Sequence, residues 1–317
     1  MKNNTLVTAF APASIGNVGV GFDMLGLAIS AAGDKVSARK VDDNGVTIKE
    51  VRGLDGEIHA ELSSNADENT ASIAAQALLD DAGIEMGVEL VVYKGVPLQS
   101  GMGSSAASAV AAVVAVNQLL DEPLPTEALL APALQGEKFA SGGLHADNVA
   151  PSLVGGLVLC PQVLLPQMIS LAAPRHISSV LIHPELHVNT AESRGGLATH
   201  YSMGQWLTQQ GYLAGFIAAC ERDDIELFAR CLRDTLIEPQ RTASVPCFPA
   251  VKEAAMRGNA YGCSLSGSGP SIFAICADSD AAALADAMSR ACRDDGYECQ
   301  AWVSALDSPG ATFEKSL

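Results

Sequence analysis

PLQSGMGSSAASAVAAVVAV, residues 97–116, sets a loop of small and polar residues directly against a long apolar run. Gly101, Gly103, Ser104 and Ser105 stand at the junction. A helix N-terminus exposes unpaired N–H groups and carries a partial positive charge, which together make an anion site. Glycine lets the backbone approach a bulky phosphate and supplies positive φ where the loop must curl. Serine hydroxyls can cap the helix, touch phosphate or ligate Mg2+. The junction therefore reads as a phosphate cradle or as a capped helix with a flexible approach, and alone it does not choose between them. A Walker A loop is excluded, because Ser104 and not Lys follows Gly103. Residues 101–106 formally meet the dinucleotide pattern G-x-G-x-x-G/A, but Asp121, at the right distance for the acidic partner, lies in a turn and not at a strand end.

Around this junction the chain mixes strands and helices. Residues 6–11, 35–40 and 46–51 read as strands, and 69–82 as a helix closed by Gly83. The β-branched stretch 89–93 is a strand feeding the loop, and DEPLP ends the following helix near Leu120. Residues 153–160 read as another strand. After a proline-bearing passage, 161–174, come a strand at 179–183, helices at 203–220 and 224–232, a strand at 271–276 and a helix at 281–292. No regular βαβ period links them, so the expected class is α+β in two domains, 1–160 and 161–317.

Composition narrows the partners. The chain has 317 residues, 48% of them hydrophobic and 17% charged, enough for a packed core. Its net charge is −17, from 36 acidic against 19 basic residues, and no basic cluster relieves that field, so nucleic acid is excluded as the expected partner. The N-terminus lacks the pattern of a signal peptide and the most apolar stretch is too short to span a bilayer, so a cytoplasmic location away from membranes is expected. The eight cysteines form no C-x-x-C and suit neither a zinc site nor a disulfide scaffold, and read as buried small hydrophobes in a reducing compartment.

Two further segments change the reading of the loop. They are APASIGNVGVGFDMLG (11–26) and GCSLSGSGP (262–270). With P-x-x-x-G-x-G-S-S-A from Pro97, these three in this order resemble the three motifs of the GHMP kinases, small-molecule ATP-dependent kinases. The match narrows toward the homoserine kinase branch through EKFASGGLHADNVAPSLVGG (137–156) with its H-x-D-N-x-A-P core, NTAESR (189–194), EPQR (238–241) and GFD-x-LG in the first motif. The loop departs from the family at Gln99, where many members have Gly, and at Met102, where Leu is usual.

The resemblance implies a ribosomal-protein-S5-like N-terminal domain and a ferredoxin-like C-terminal domain. It implies transfer of the ATP γ-phosphate to the side-chain hydroxyl of L-homoserine, the step before threonine synthase, by an enzyme that is often a homodimer. ATP would be held by Pro97, Leu98, Gln99, Ser100, Gly101, Met102, Gly103, Ser104, Ser105, Ala106 and Ala107, with Asn69 and Lys94 reaching base or ribose. Ser105 and Glu137 would ligate Mg2+, and hard oxygens suit that ion. Asn17 and Asp23 would face the substrate, Asp23 against its ammonium. Arg194 and Arg241 would clamp its carboxylate bidentately, supported by Thr190 and His145. Asn148 would hold the reacting hydroxyl, with Asp147 beside it as a base.

Each assignment has a plainer reading. Asn17 and Asp23 are ordinary turn residues, and Glu137 beside Lys138 reads as a solvated charge on a helix. Arginines far apart in sequence are usually at the surface. His145 and Asp147 have a metal-binding spacing but no third ligand, and Pro184 spoils a helix that would pair His183 with His187. Competing functions are a GHMP kinase for an isoprenoid or sugar alcohol, and a catalytically silent ligand sensor of the same fold. An intact Ser105 and Glu137 argue against the sensor, and Asp23, Arg194 and Arg241 argue for a zwitterionic substrate.

Overall fold

A computed structural model describes residues 5–316, apart from the side chains of Thr190 and Ala191. The chain opens with β1 (Leu6–Gly16), β2 (Leu25–Val41) and β3 (Gly45–Gly53), then α1 (Thr70–Ala82), β4 (Gly87–Lys94) and α2 (Ser104–Asn117). Next come α3 (Leu130–Ser141), α4 (Ala146–Val154), β5 (Leu157–Leu159) and β6 (Ile169–Leu171). The first sheet runs β1-β2-β4-β3, with β5 on β2 and β6 on β5. β1 and β2 are antiparallel and β3 joins β4 in parallel. The two long strands overrun the expected 6–11 and 35–40, because the small residues around Gly16 and Gly26 continue the pairing.

α1 behaves as its sequence dictates. The Asn69 side chain accepts from the Ala71 N–H, and Gly83 closes the helix at φ 65°. α2 packs on β1 and β2 and against α1 and α3, and every residue from Ala106 to Asn117 is buried. Its alanines and valines are what an all-round buried helix needs for close approach to sheet and neighbours.

The second half contains β7 (Ile177–Pro184), α5 (Thr190–Gly195), α6 (Met203–Arg222), α7 (Ile225–Cys231) and α8 (Glu238–Arg241). It continues with α9 (Phe248–Arg257), β8 (Gly262–Leu265), β9 (Ile272–Ala277), α10 (Ala281–Asp294), β10 (Cys299–Ala305) and β11 (Thr312–Ser316). Its antiparallel sheet has the order β10-β7-β9-β8. With α9 and α10 as crossovers this is the ferredoxin-like split βαβ arrangement. One face carries a core of Val180, Ile182, Phe248, Leu284 and Met288. The other shares a core with the first half, where Phe216, Phe228 and Phe273 join Val18, Leu27 and Met102.

The structure corrects one element of the sequence expectations. Residues 153–160 are not one strand. Leu153 and Val154 finish α4, Gly155 and Gly156 turn at positive φ, and only Leu157–Leu159 is extended. The division at 160/161 falls inside the antiparallel hairpin of β5 and β6, and β11 returns to pair with β1, so hydrogen bonds of the first sheet cross that boundary. Several elements carried no clear local signal, α3, α9, β8, β10 and β11 among them. All eight cysteines are free thiols, seven of them buried. Among the described residues no helix is long and apolar enough to cross a membrane.

Candidate active site

The loop between β4 and α2 borders a cavity of about 420 Å3, whose wall also includes Asn17, Asp23, Glu137, Asn148, Arg194 and Arg241. Gly103 takes the N-cap position of α2 at φ 65°, and no side chain caps the helix. Ser104 instead donates its hydroxyl to the Val96 carbonyl (3.0 Å), and Ser105 donates to Glu137 Oε2 (2.5 Å). The two serines are therefore not caps, and the helix N-terminus remains open toward the cavity. That removes the capped-helix reading of the loop.

A Cβ on Gly103 would lie 2.3 Å from Ser14 Oγ, and one on Gly101, at φ 73°, would lie 2.4 Å from the Ser266 carbonyl. The third motif is the buttress that makes Gly101 obligatory: Ser266 Oγ donates to the Gly101 carbonyl (2.6 Å) and Ser271 N–H to the Ser100 carbonyl (3.1 Å). Gln99 adopts φ 52°, which explains why glycine is the easier residue there. Met102, Ala106 and Ala107 are fully buried in the core, and they and Pro97 are absent from the cavity wall, so of the eleven expected loop residues seven face it.

Glu137 comes from α3 and is only 4% exposed despite its charge. It is held on its other oxygen by His145 Nδ1 (3.2 Å). That hydrogen bond raises the His145 pKa against the opposing effect of burial. His145 thus serves the Glu137 carboxylate and not the arginine clamp. Among the described residues no three His, Cys, Asp or Glu converge as a metal site.

α4 begins just beyond His145 and carries Asp147 and Asn148 inward. Asn148 Oδ1 accepts from Ser14 Oγ (3.0 Å). Asp147 Oδ2 accepts from the Asn17 N–H (3.0 Å), while its Oδ1 is buried without a partner. Burial, and then the negative charge of Asp23, push the Asp147 carboxyl up to about 6, against His145 and the Asn17 N–H.

The other end of the cavity is built from charges that meet one another. Arg194 grips Asp23 with two hydrogen bonds of 2.8 and 2.7 Å, so the cationic and anionic groups expected at opposite ends form one ion pair. Both side chains are about two-fifths exposed (41% and 38%). Arg241 is buried at 4% exposure, donates to the Gly267 carbonyl (2.7 Å), and leaves its Nε without a partner. Both guanidiniums lie over the Phe22 ring, Arg194 at 5.4 Å and Arg241 at 5.3 Å from its centre. Asn17 is committed to the turn, accepting from the Asp23 N–H and donating to the Gly267 carbonyl. Thr190 begins α5, and its side chain lies outside the described residues.

Asn69 is used by its own helix and donates to the Ser63 carbonyl, and Lys94 is consumed by partners behind the loop. Sequence reasoning missed those partners, Asp34 and Ser108, and also Phe22 and Ser14.

Comparison with known proteins covers nearly the whole chain. Residues 69–156 match the model of the GHMP kinases N terminal domain, and residues 216–294 that of the GHMP kinases C terminal domain. The chain is 43% identical over 304 residues to homoserine kinase of Xylella fastidiosa (strain M12), covering 96% of this chain and 92% of that protein. It is 37% identical over 320 residues to homoserine kinase of Chloroherpeton thalassium, covering 96% and 98%. The crystal structure of homoserine kinase from Cytophaga hutchinsonii superposes with a TM-score of 0.91 at 38% identity, covering 98% of this chain and 97% of that one.

Proposed function

Because this chain belongs to the GHMP kinase family, among its homoserine kinases, we infer that its cavity transfers the γ-phosphate of ATP to the side-chain hydroxyl of L-homoserine. The observation that carries this reading is the convergence, in one cavity, of an uncapped helix N-terminus with a cluster of two arginines and a carboxylate. The first suits a polyphosphate and the second a small zwitterion.

The triphosphate lies against the N-terminus of α2, where backbone N–H groups and the helix dipole face negative charge. Ser105 and Glu137 fit a magnesium ion: a hydroxyl and a carboxylate oxygen meet beside that helix end, and among the described residues no three His, Cys, Asp or Glu gather there as a transition-metal site would need. Held there by Ser105 and Glu137, Mg2+ would supply charge neutralisation for the phosphates of ATP. His145 keeps Glu137 oriented.

The Asp23–Arg194 pair opens as substrate enters. Asp23 takes the ammonium, and Arg194 with Arg241 takes the carboxylate, so one internal ion pair becomes two with the ligand. This orients the hydroxyl toward Asn148, whose Oδ1 is occupied by Ser14 and whose amide nitrogen is left to donate. The alcohol oxygen then bonds to the γ-phosphorus as the bond to the β,γ-bridging oxygen breaks, giving O-phospho-L-homoserine and ADP. Asp147, with one unpartnered oxygen, is the base available for the hydroxyl proton. Positioning and charge neutralisation dominate such transfers, so Asn148 does more than the base. We assign the enzyme to the cytoplasm as a homodimer, to be checked by light scattering of the purified protein.

A coupled ATPase assay with homoserine, serine, mevalonate and galactose tests the substrate. Preferential turnover of homoserine is expected. Preference for mevalonate or galactose would refute the reading.

A further inference from the structure

Behind the phosphate loop lies a charged cluster for which the reaction above has no use. Asp34 sits in the interior of β2 and is fully buried. Its Oδ1 accepts from the Gly95 and Val96 N–H groups at 2.8 and 3.0 Å, the first residues of the loop. Its Oδ2 accepts from Lys94 Nζ and from Ser108 Oγ. Lys94 Nζ also donates to the Ser104 carbonyl (2.9 Å) and to Ser108 Oγ (2.8 Å). An ammonium has three donors, and these partners use all of them. Lys94 therefore has none left for a nucleotide, although it borders the cavity.

The cluster joins the two ends of one loop. Gly95 and Val96 leave β4, while Ser104 and Ser108 belong to the first turns of α2, and Ser104 Oγ closes the ring on the Val96 carbonyl. None of these hydrogen bonds goes to Asp23, Arg194 or Arg241. Buried ion pairs seldom add net stability over apolar residues of similar volume, so this one is better explained by the geometry it imposes.

We propose that Asp34 is a positioning residue for nucleotide binding: with Lys94 and Ser108 it forms an internal strut that sets the width of the phosphate loop's neck. The proposal rests on the kinase reading for the identity of the ligand, and it concerns the ATP end alone. A loop held at the wrong width misplaces the N–H groups of α2, and misplacement of about 1 Å can cost on the order of a hundredfold.

The test compares Asp34→Asn, Ser108→Ala and the double variant Asp34→Asn with Lys94→Met, which removes both charges while keeping volume. ATP dissociation constants come from calorimetry, KM values for ATP and homoserine from steady-state kinetics, and Tm from circular dichroism. Asp34→Asn is expected to weaken ATP binding roughly 30-fold with the homoserine KM, at saturating ATP, within about twofold of wild type. Ser108→Ala, which loses one hydrogen-bonding group, is expected to weaken ATP binding about threefold. The double variant should recover Tm but not ATP affinity. Should Asp34→Asn fail to fold, the other two carry the test. Unchanged ATP affinity in a folded Ser108→Ala and double variant overturns the proposal, as does a parallel rise of both KM values that follows Tm. The ATP titration decides the strut whichever alcohol the enzyme phosphorylates, so the two readings fail separately.

Discussion

The two ends of the cavity are built on opposite plans. At the phosphate end the loop is clamped from both sides, by the Asp34–Lys94–Ser108 cluster between the first sheet and α2 and by Ser266 of the third motif with the adjoining Ser271. Its geometry is set by buried backbone contacts. At the end we assign to the amino acid, two half-exposed charges, Asp23 and Arg194, hold each other across a sequence separation of 171 residues. Of the three charged groups Asp23, Arg194 and Arg241, it is Arg241 that is buried, with an orphan Nε. A polyphosphate is recognised by a rigid shape that can be finished in advance. A zwitterion is recognised by charges that would repel or pair with each other in its absence, and here Asp23 and Arg194 neutralise each other.

The largest break in this comparison comes from the rigid end. Gly103→Val sets a β-branched residue at φ 65° and a Cβ against Ser14 Oγ. The clash is with the supporting side chain and not with the phosphate itself, yet it displaces the helix start. ATP affinity is expected to fall by roughly two orders of magnitude or more in a folded protein, measured by calorimetry. Unchanged affinity would mean that the loop is as adaptable as the opposite end.

The arginines sharpen the contrast within the amino-acid end. Arg241 is buried and Arg194 is not, so removing Arg241 leaves a substrate carboxylate in a drier place. Arg241→Ala should raise the homoserine KM by about a hundredfold, and Arg194→Ala by about tenfold, the smaller effect reflecting solvent screening, with ATP affinity spared in both. Arg194→Lys should recover little, because an ammonium cannot form the bidentate fork. Equal effects at the two positions would show that burial does not decide their weight.

Asp23→Asn tests that mutual neutralisation by a change of sign. It should weaken homoserine, which loses its ammonium partner. It should also tighten 4-hydroxybutyrate binding by about three- to tenfold, since the analogue's carboxylate no longer competes with Asp23 for Arg194. Calorimetric titration of both ligands decides it, and weakening of both would sink the exchange.

The smallest expected effect lies between the two ends. The Asp147 carboxyl is raised to about 6 from an ordinary 3.8, so its contribution to stability is fully present below about pH 4 and lost as pH rises through 6. Asp147→Asn removes that loss. The variant should melt a few degrees above wild type at pH 8, on the order of 1–3 kcal/mol, and show little difference at pH 4. Its kcat should fall less than that of Asn148→Ala. A collapse of kcat by several orders of magnitude in Asp147→Asn would make the base, and not the orienting amide, the main catalytic group.

What could be read from the chain alone follows from how locally each feature is encoded. The helix from Thr70 is announced by its own Asn69 cap and Gly83 stop, and the phosphate loop by glycines whose positive φ is a property of single residues. The mixture of strands and helices without a regular βαβ period gave α+β, and the three motifs in order gave the family. Local pattern failed at residues 153–160, where an apolar run fits the end of a buried helix as well as a strand, and two glycines decide the matter. The site divides in the same way. Gly101, Gly103, Ser105 and Glu137 were named from their motifs, but the function of Gly101 depends on a carbonyl 165 residues away. Asp34 offered no signal, because a charge in a strand reads as solvent-facing until the fold shows it buried against Lys94. The return of β11 to β1, the burial of Arg241 and the pairing of Arg194 with Asp23 were likewise settled only when the two sheets closed on each other. Propensity and spacing act over a few residues. Which charges become partners is fixed by burial and distance, and those exist only in the packed chain.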